Sequence, residues 1–205
     1  KCTAGIFALS SLVVSEKGIQ YQKEVGKISE LESHLQEMIM HGVLGIGHTR
    51  WATHGKPSVE NAHPHYDCHS KIWLVHNGII ENYAKLKEDL LTRGHHFLSE
   101  TDTEIIVHLI EENYKGDLLE AVKKSVRQLT GAFAIGVICA MEPDRLIAAR
   151  VGSPLIVGLG NNENFIASDA TPIIPHTKQM VFLSDGDIAI VTPTSHRVRT
   201  LDQRE

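Results

Sequence analysis

"DLLEAVKKSVRQLTGAFAIGVICAM", residues 117–141, changes its period halfway along. In the first half Leu118, Val122, Val126 and Leu129 fall on one stripe, the spacing of an amphipathic helix. From Ala132 the apolar residues run on almost unbroken, which reads as strand. Downstream, "RLIAAR", "PLIVGL", "NFIAS", "MVFL" and "DIAIV" are short strand-like runs. Turn residues such as Glu142-Pro143-Asp144 and Asp185-Gly186 separate them. Upstream, "AGIFALSSLVV", "IQYQKEV", "VLGIGH" and "KIWLVH" also read as strands. Three more helices are expected in "SELESHLQEMIM", "YAKLKEDLLTRG" and "DTEIIVHLIEEN". Ser29 with Glu32, and Thr101 with Glu104, have capping-box spacing. Leu31, Leu35, Met38 and Ile39 share a face of the first helix, and Asn82 and Gly94 bracket the second. Strands, then helices, then strands imply one α+β domain over residues 1–205, with helices layered on sheets. The polar end from Thr192 reads as a boundary.

The totals narrow the function classes. A chain of 205 residues with 42% hydrophobic and 22% charged residues can bury a sizeable core. A net charge of -5 argues against a nucleic-acid or anionic-membrane surface. No apolar run is long enough to span a bilayer, and no secretion signal opens the chain. Three cysteines, Cys2, Cys68 and Cys139, have no staple-like spacing and fit a reducing cytoplasm. Histidine is the anomaly: of 13, seven lie between His41 and His76.

Much of that histidine sits in "GIGHTRWATHGKPSVENAHPH", residues 45–65. The His63-Pro64-His65 pair suggests a metal, but neither an H-E-x-x-H pair nor a C-x-x-C pair accompanies it, so no metal site is expected here. A purely solvated loop is a poor home for Trp51 beside Arg50. Arg50 offers a planar fork for a carboxylate or phosphate, and Thr53 adds a hydroxyl. Asp102 opens a helix, where a dipole partner is the ordinary explanation. Yet "SETDTE" carries more acids than one helix start needs. Arg50 and Asp102 could together bracket the carboxylate and ammonium of a free amino acid. Asn77-Gly78 has two readings: a type I′ hairpin turn, or an oxyanion hole built from a side-chain amide and a backbone N–H.

Taken in order, "GIGHTRWATHGKPSVENAHPH", "VHNGIIENY", "SETDTE" and "FIASDATPII" resemble the glutaminase domain of the glutamine–fructose-6-phosphate aminotransferases. "VGKISEL", "QLTGAFAIGV", "AARVGSPLIVGLG" and "VFLSDGDIAIV" extend the resemblance from about Val25 to about Val191. The resemblance implies an N-terminal-nucleophile hydrolase fold, a four-layer α-β-β-α sandwich. It implies glutamine as substrate, with ammonia passing to a separate isomerase domain that acts on fructose 6-phosphate. It implies a cytoplasmic homo-oligomer with no cofactor. Carried over residue by residue, Arg50 takes the glutamine α-carboxylate and Asp102 the α-ammonium. Trp51, Thr53 and His54 shape the pocket, and Asn77 and Gly78 form the oxyanion hole. The glutaminase of another amidotransferase, acting on phosphoribosylpyrophosphate or forming asparagine, and a non-catalytic amino-acid-binding domain are the alternatives.

The start of the chain departs from the pattern. The family nucleophile is an N-terminal cysteine whose own α-amine serves as base. Here Lys1 precedes Cys2 and would acylate that amine, leaving a thiol with a pKa of about 8.5. In one alignment Cys2 is the nucleophile, and Gly5-Ile6-Phe7-Ala8 its strand. In the other, which needs no insertion at Ala4-Gly5-Ile6, Cys2 matches an aspartate further into the family pattern. The nucleophile segment is then missing from these residues.

Overall fold

The computed structural model describes residues 7–15, 18–37, 42–50 and 55–201. Along the chain run β1 (Phe7–Ser15), β2 (Gly18–Gly26), α1 (Ile28–Glu37), β3 (Leu44–Arg50), β4 (His65–Tyr66), β5 (Ile72–Ile80), α2 (Tyr83–Thr92), α3 (Asp102–Asn113) and α4 (Leu118–Val126). There follow β6 (Gly131–Cys139), β7 (Glu142–Val151), β8 (Ile156–Leu159), β9 (Asn164–Ala167), β10 (Met180–Phe182), β11 (Asp187–Val191) and β12 (His196–Thr200). Six strands form the main sheet in the order β12-β11-β7-β6-β5-β4, and two three-stranded sheets have the orders β2-β1-β3 and β10-β8-β9.

The unbroken apolar run of β6 has a direct cause: both faces of the main sheet are covered. On one face Phe133, Ile135, Val137 and Cys139 join Ile72, Leu74 and Ile147 against Ile106, Val107 and Ile110 of α3 and Leu118 and Val122 of α4. On the other, Trp73, Ala134, Ile138, Ala148 and Ala189 meet Ile46 of β3, Leu155 and Val157 around β8, and Leu183. Helix α1 packs against β2 and β1. The layers are therefore α, β, β, α. Helix α3 is buried beyond one stripe, because Ile105 and Leu109 turn away from the sheet to meet Leu86 and Leu90 of α2.

The capping readings meet different fates. Thr101 does cap α3, its hydroxyl accepting from the Glu104 N–H. Glu104 does not return the bond to Thr101, accepting instead from the N–H groups of Leu98 and Ser99. Ser29 is not a cap: α1 starts one residue before it, and Glu30 accepts from the Lys27 N–H. Met38 and Ile39 lie outside the described residues. Asp117 caps α4, accepting from Leu119 and Glu120.

Two expected loop regions are strands instead. Glu142-Pro143-Asp144 belongs to β7, and the reversal occurs at Ala140 and Met141, next to an irregularity at Ile138/Cys139. Residues 196–200, read as part of a polar boundary, form β12 and pair with β11 at the sheet edge. An edge strand can stay polar because only one of its neighbours is a strand.

Asn77-Gly78 is not a hairpin turn. Both residues lie inside β5, opposite Ala134 and Phe133 of β6. Gly78 has φ +134°, and a Cβ built there would stand 2.0 Å from the carbonyl oxygen of Ala132. The two backbones approach more closely than any side chain permits. Gly78→Ala is expected to destabilise the protein by about 3 kcal/mol or more, since strain and collision add. Gly116→Ala is the control, with φ +91° but no atom within 4 Å of the added carbon. Its cost should stay near ~1 kcal/mol. Denaturant midpoints of the two variants check the difference, and equal midpoints would refute the close approach.

Candidate active site

Three elements converge at one end of the main sheet. Strand β3 lies across β5 and ends at Arg50, which is 4% exposed. Strand β5 carries Asn77 and Gly78. Helix α3 begins with Asp102, also 4% exposed. The Asp102 carboxylate accepts a hydrogen bond from the Ile80 N–H at 2.8 Å, which ties the helix start to the strand two residues beyond Gly78. Burial lowers the Arg50 pKa from its ordinary value, and the negative charge of Asp102 acts in the opposite direction. Two opposite charges thus share one desolvated region, where each influences the other more than at a surface. An Nη of Arg50 also donates to the Gly55 carbonyl oxygen at 3.4 Å.

Asn77 is oriented by a neighbour. His48 Nε2 lies 2.8 Å from Asn77 Oδ1. The amide oxygen only accepts, so this contact requires the tautomer of His48 with hydrogen on Nε2. With its oxygen engaged, Asn77 keeps its NH2 group for another acceptor. A cleft of about 1000 Å³ is lined there by His48, His76, Asn77, Val75, Gly136 and Ile166. Neither Arg50 nor Asp102 lines it, so the cleft reaches the amide and stops short of the two charges.

The histidines of the unusual loop form a buried cluster beneath this site. His48 stacks on His63 with ring centroids 4.1 Å apart, and His63 meets His65 edge-on at 5.0 Å. The Thr103 hydroxyl bridges His63 Nε2 (3.0 Å) and His76 Nδ1 (2.9 Å). The Thr101 hydroxyl holds His65 Nε2 at 3.1 Å. Each of the hydrogen bonds goes to a neutral hydroxyl or amide, so the cluster supports the site through hydrogen bonds and ring packing.

Asn61 closes the loop. Its amide donates to the Lys56 carbonyl and to the Glu100 carboxylate, and its oxygen accepts from the Glu100 N–H. The loop is thereby pinned to the residue just before the Thr101 cap. Sequence reasoning missed Asn61, Thr101 and Thr103 as parts of the site. The signal was available for the threonines, which alternate with Asp102 in "SETDTE", the stretch already singled out for its acids. Trp51, Thr53, His54 and Cys2 lie outside the described residues.

Comparison with known proteins places the chain in a family. A family model described as "Glutamine amidotransferase domain" matches residues 48–175. The glutamine–fructose-6-phosphate aminotransferase (isomerizing) of Aquifex aeolicus is 59% identical over 84% of this chain and 29% of its own length. That of a Thermus thermophilus strain is 47% identical over 94% of the chain and 32% of its own length. The chain thus spans about a third of these relatives. Among solved structures, the glutamine phosphoribosylpyrophosphate amidotransferase of B. subtilis superposes with a TM-score of 0.82 at 23% identity, covering 98% of this chain and 44% of that one. A glutamine aminotransferase class-II domain protein from Silicibacter pomeroyi gives 0.66 at 14% identity, covering 96% and 92%. The likeness in fold bears out the four-layer sandwich of the N-terminal-nucleophile amidotransferases.

Burial holds the His65 pKa at about 3 and that of His76 at about 4, against an ordinary 6.5, and lowers His48 and His63 in the same direction. As pH falls, the unfolded chain therefore takes up these protons before the folded one does. The stability they contribute is fully present above about pH 6.5 and is lost as pH falls toward the folded-state values. The unfolding temperature should drop continuously between about pH 7 and about pH 5, with a shallower slope in His65→Gln. A flat profile across that interval would show that the cluster is not buried and neutral.

Proposed function

Because the chain belongs to the glutamine amidotransferase domain family, we propose that it is the glutaminase unit of a glutamine–fructose-6-phosphate aminotransferase. It hydrolyses the side-chain amide of glutamine to glutamate and ammonia. The ammonia passes to an isomerase domain that converts fructose 6-phosphate to glucosamine 6-phosphate. The observation that carries this reading is the burial of Arg50 and Asp102 within each other's field, at the strand end where Asn77 presents its amide.

Each group has a task that its chemistry suits. The Arg50 guanidinium takes the α-carboxylate of glutamine, and Asp102 takes the α-ammonium. A substrate that carries both charges on one carbon is a free amino acid. With that end fixed, the side-chain amide is directed toward Asn77 and Gly78. A cysteine thiolate at a free N-terminus attacks the amide carbon, and its α-amine handles the proton. The developing oxyanion accepts from the Asn77 NH2 and the Gly78 N–H. The Ile80 N–H cannot serve, since Asp102 already occupies it. Trp51, Thr53 and His54 close the pocket over the substrate and exclude water. Cys2 is the nucleophile only where it begins the mature chain; otherwise the nucleophile lies upstream of these residues, and residues 1–205 are the rest of one glutaminase domain. The intact protein works as a cytoplasmic homo-oligomer. Among the described residues no helix is long and apolar enough to cross a membrane.

The intact protein, with its N-terminal cysteine verified by mass, should release ammonia from glutamine and not from asparagine. Asn77→Ala should lower kcat by ~10²–10³-fold, as loss of one oxyanion donor does. Arg50→Lys removes the planar fork and should act chiefly on KM, lowering kcat/KM by ~10²-fold. A KM for glutamine unchanged within about twofold in Arg50→Lys would remove the guanidinium from substrate binding. Calorimetric binding of glutamine without ammonia release would replace the enzyme reading with that of an amino-acid-binding domain.

A further inference from the structure

A second polar cluster lies farther along α3, outside the proposed glutamine site. Four ligand-type atoms converge there: Cys68 Sγ, His95 Nδ1, His108 Nδ1 and a carboxylate oxygen of Glu111, all within 4.8 Å of one another. The individual separations are 3.6 Å from sulfur to each imidazole nitrogen and 3.3 Å between the two nitrogens. Each nitrogen is 3.1 Å from Glu111 Oε2. A tetrahedral zinc ion with Zn–N of ~2.0–2.1 Å and Zn–S of ~2.3 Å sets its ligands roughly 3.3–3.6 Å apart. The observed spacings fall close to that figure.

Hydrogen bonding alone accounts for the arrangement poorly. If both Nδ1 atoms carry hydrogen, both donate to Glu111 but face each other as two N–H groups at 3.3 Å. If one lacks hydrogen, its lone pair faces a carboxylate oxygen at 3.1 Å. A divalent cation at the centre turns every one of these contacts into a shared ligation. The outer atoms fit the same reading. His95 Nε2 lies 3.2 Å from Glu112 Oε2, and His108 Nε2 lies 3.7 Å from Glu104 Oε1. For His95 that carboxylate is within hydrogen-bond distance, the usual second layer of a zinc site that fixes the tautomer with Nδ1 free to ligate. The Glu104 carboxylate stands near His108 but beyond hydrogen-bond distance.

We propose that Cys68, His95, His108 and Glu111 form a four-ligand structural zinc site that clamps two connections onto α3. Cys68 comes from the turn between β4 and β5, which Asp67 organises by accepting from the N–H groups of Lys71 and Ile72. His95 comes from the connection between α2 and α3, while His108 and Glu111 sit three residues apart on α3 itself. The donor set of thiolate, two imidazoles and one carboxylate suits zinc over magnesium or calcium, which favour oxygen. Four protein ligands leave no open position, so the ion is structural and not catalytic. Cys68 is exposed while both histidines are buried, which gives the ion an entry path from solvent.

The test is metal content and spectroscopy on the intact protein, purified without a histidine tag and equilibrated with zinc. Elemental analysis should find about one zinc per chain, falling below about a tenth in Cys68→Ser. Cobalt substituted for zinc should give the intense visible bands of tetrahedral coordination and a thiolate-to-cobalt charge-transfer band, the latter absent in Cys68→Ser. A chelator should lower the unfolding temperature of the unsubstituted protein and leave that of Cys68→Ser unchanged. Zinc below about a tenth per chain after equilibration, or a charge-transfer band that persists in Cys68→Ser, overturns the proposal. None of these readouts involves glutamine, so the outcome is independent of the glutaminase reading.

Discussion

The pairing of β5 with β6, buried on both faces, is the constraint from which the remaining architecture follows. Nine residues of each strand are in register, from Ile72 opposite Cys139 to Ile80 opposite Gly131. Residues of β6 alternate between the helical layer and the small sheets, so neither face tolerates water. Such a sheet must be sandwiched. At its end the two backbones come together at Gly78 and Ala132, closer than a side chain allows. There the strand presents Asn77 and then offers the Ile80 N–H to Asp102. Packing in the middle of the sheet thereby fixes the polar groups at its edge.

Helix α3 transmits that order along its length. Its first turn carries Thr101, Asp102 and Thr103, which hold three histidines and one backbone N–H. Its middle is apolar on two sides and cannot rotate without exposing either Ile106 and Ile110 or Ile105 and Leu109. Its later turns carry His108 and Glu111. Because a helix rises ~1.5 Å per residue, the two polar regions are roughly 10 Å apart on one rigid rod. A clamp at the far end would limit movement of Asp102 without touching the substrate.

The helices and the inner strands were legible because each follows a simple period. Asp102–Asn113 matches the stretch read as helix, and the Thr101 cap was visible from its spacing to Glu104. What escaped had long-range causes. Ser29 has the right neighbour for a capping box, yet the helix starts earlier because Glu30 finds the Lys27 N–H. Glu142-Pro143-Asp144 carries turn composition but continues a strand. There Glu142 is engaged by Tyr114 and the Leu118 N–H, partners far away in sequence. Asn77-Gly78 carries the local signature of a hairpin, and only the partner strand shows that its glycine serves a close approach. In the site, Arg50, Asp102 and Asn77 were legible as chemistry. Asn61 was not, since its importance lies in pairing with Glu100 across 39 residues.

The electrostatics of the site separate two kinds of polar residue that the sequence presents mixed together. Burying a charge without a partner is far more costly than burying a neutral polar group. The four histidines avoid that cost by remaining neutral, and each has one ring nitrogen on a hydroxyl or an amide. Arg50 cannot take that route, because a guanidinium keeps its proton; it is buried within the field of Asp102 instead. Among the described residues, the charges acting around this neutral scaffold are those of Arg50 and Asp102, with Lys23 and Glu104 acting on His65. A charged histidine beside Arg50 would add positive charge there and favour a simple anion over a zwitterion. On the proposed reading of the site, the neutrality of the cluster therefore favours a zwitterionic ligand over a simple anion.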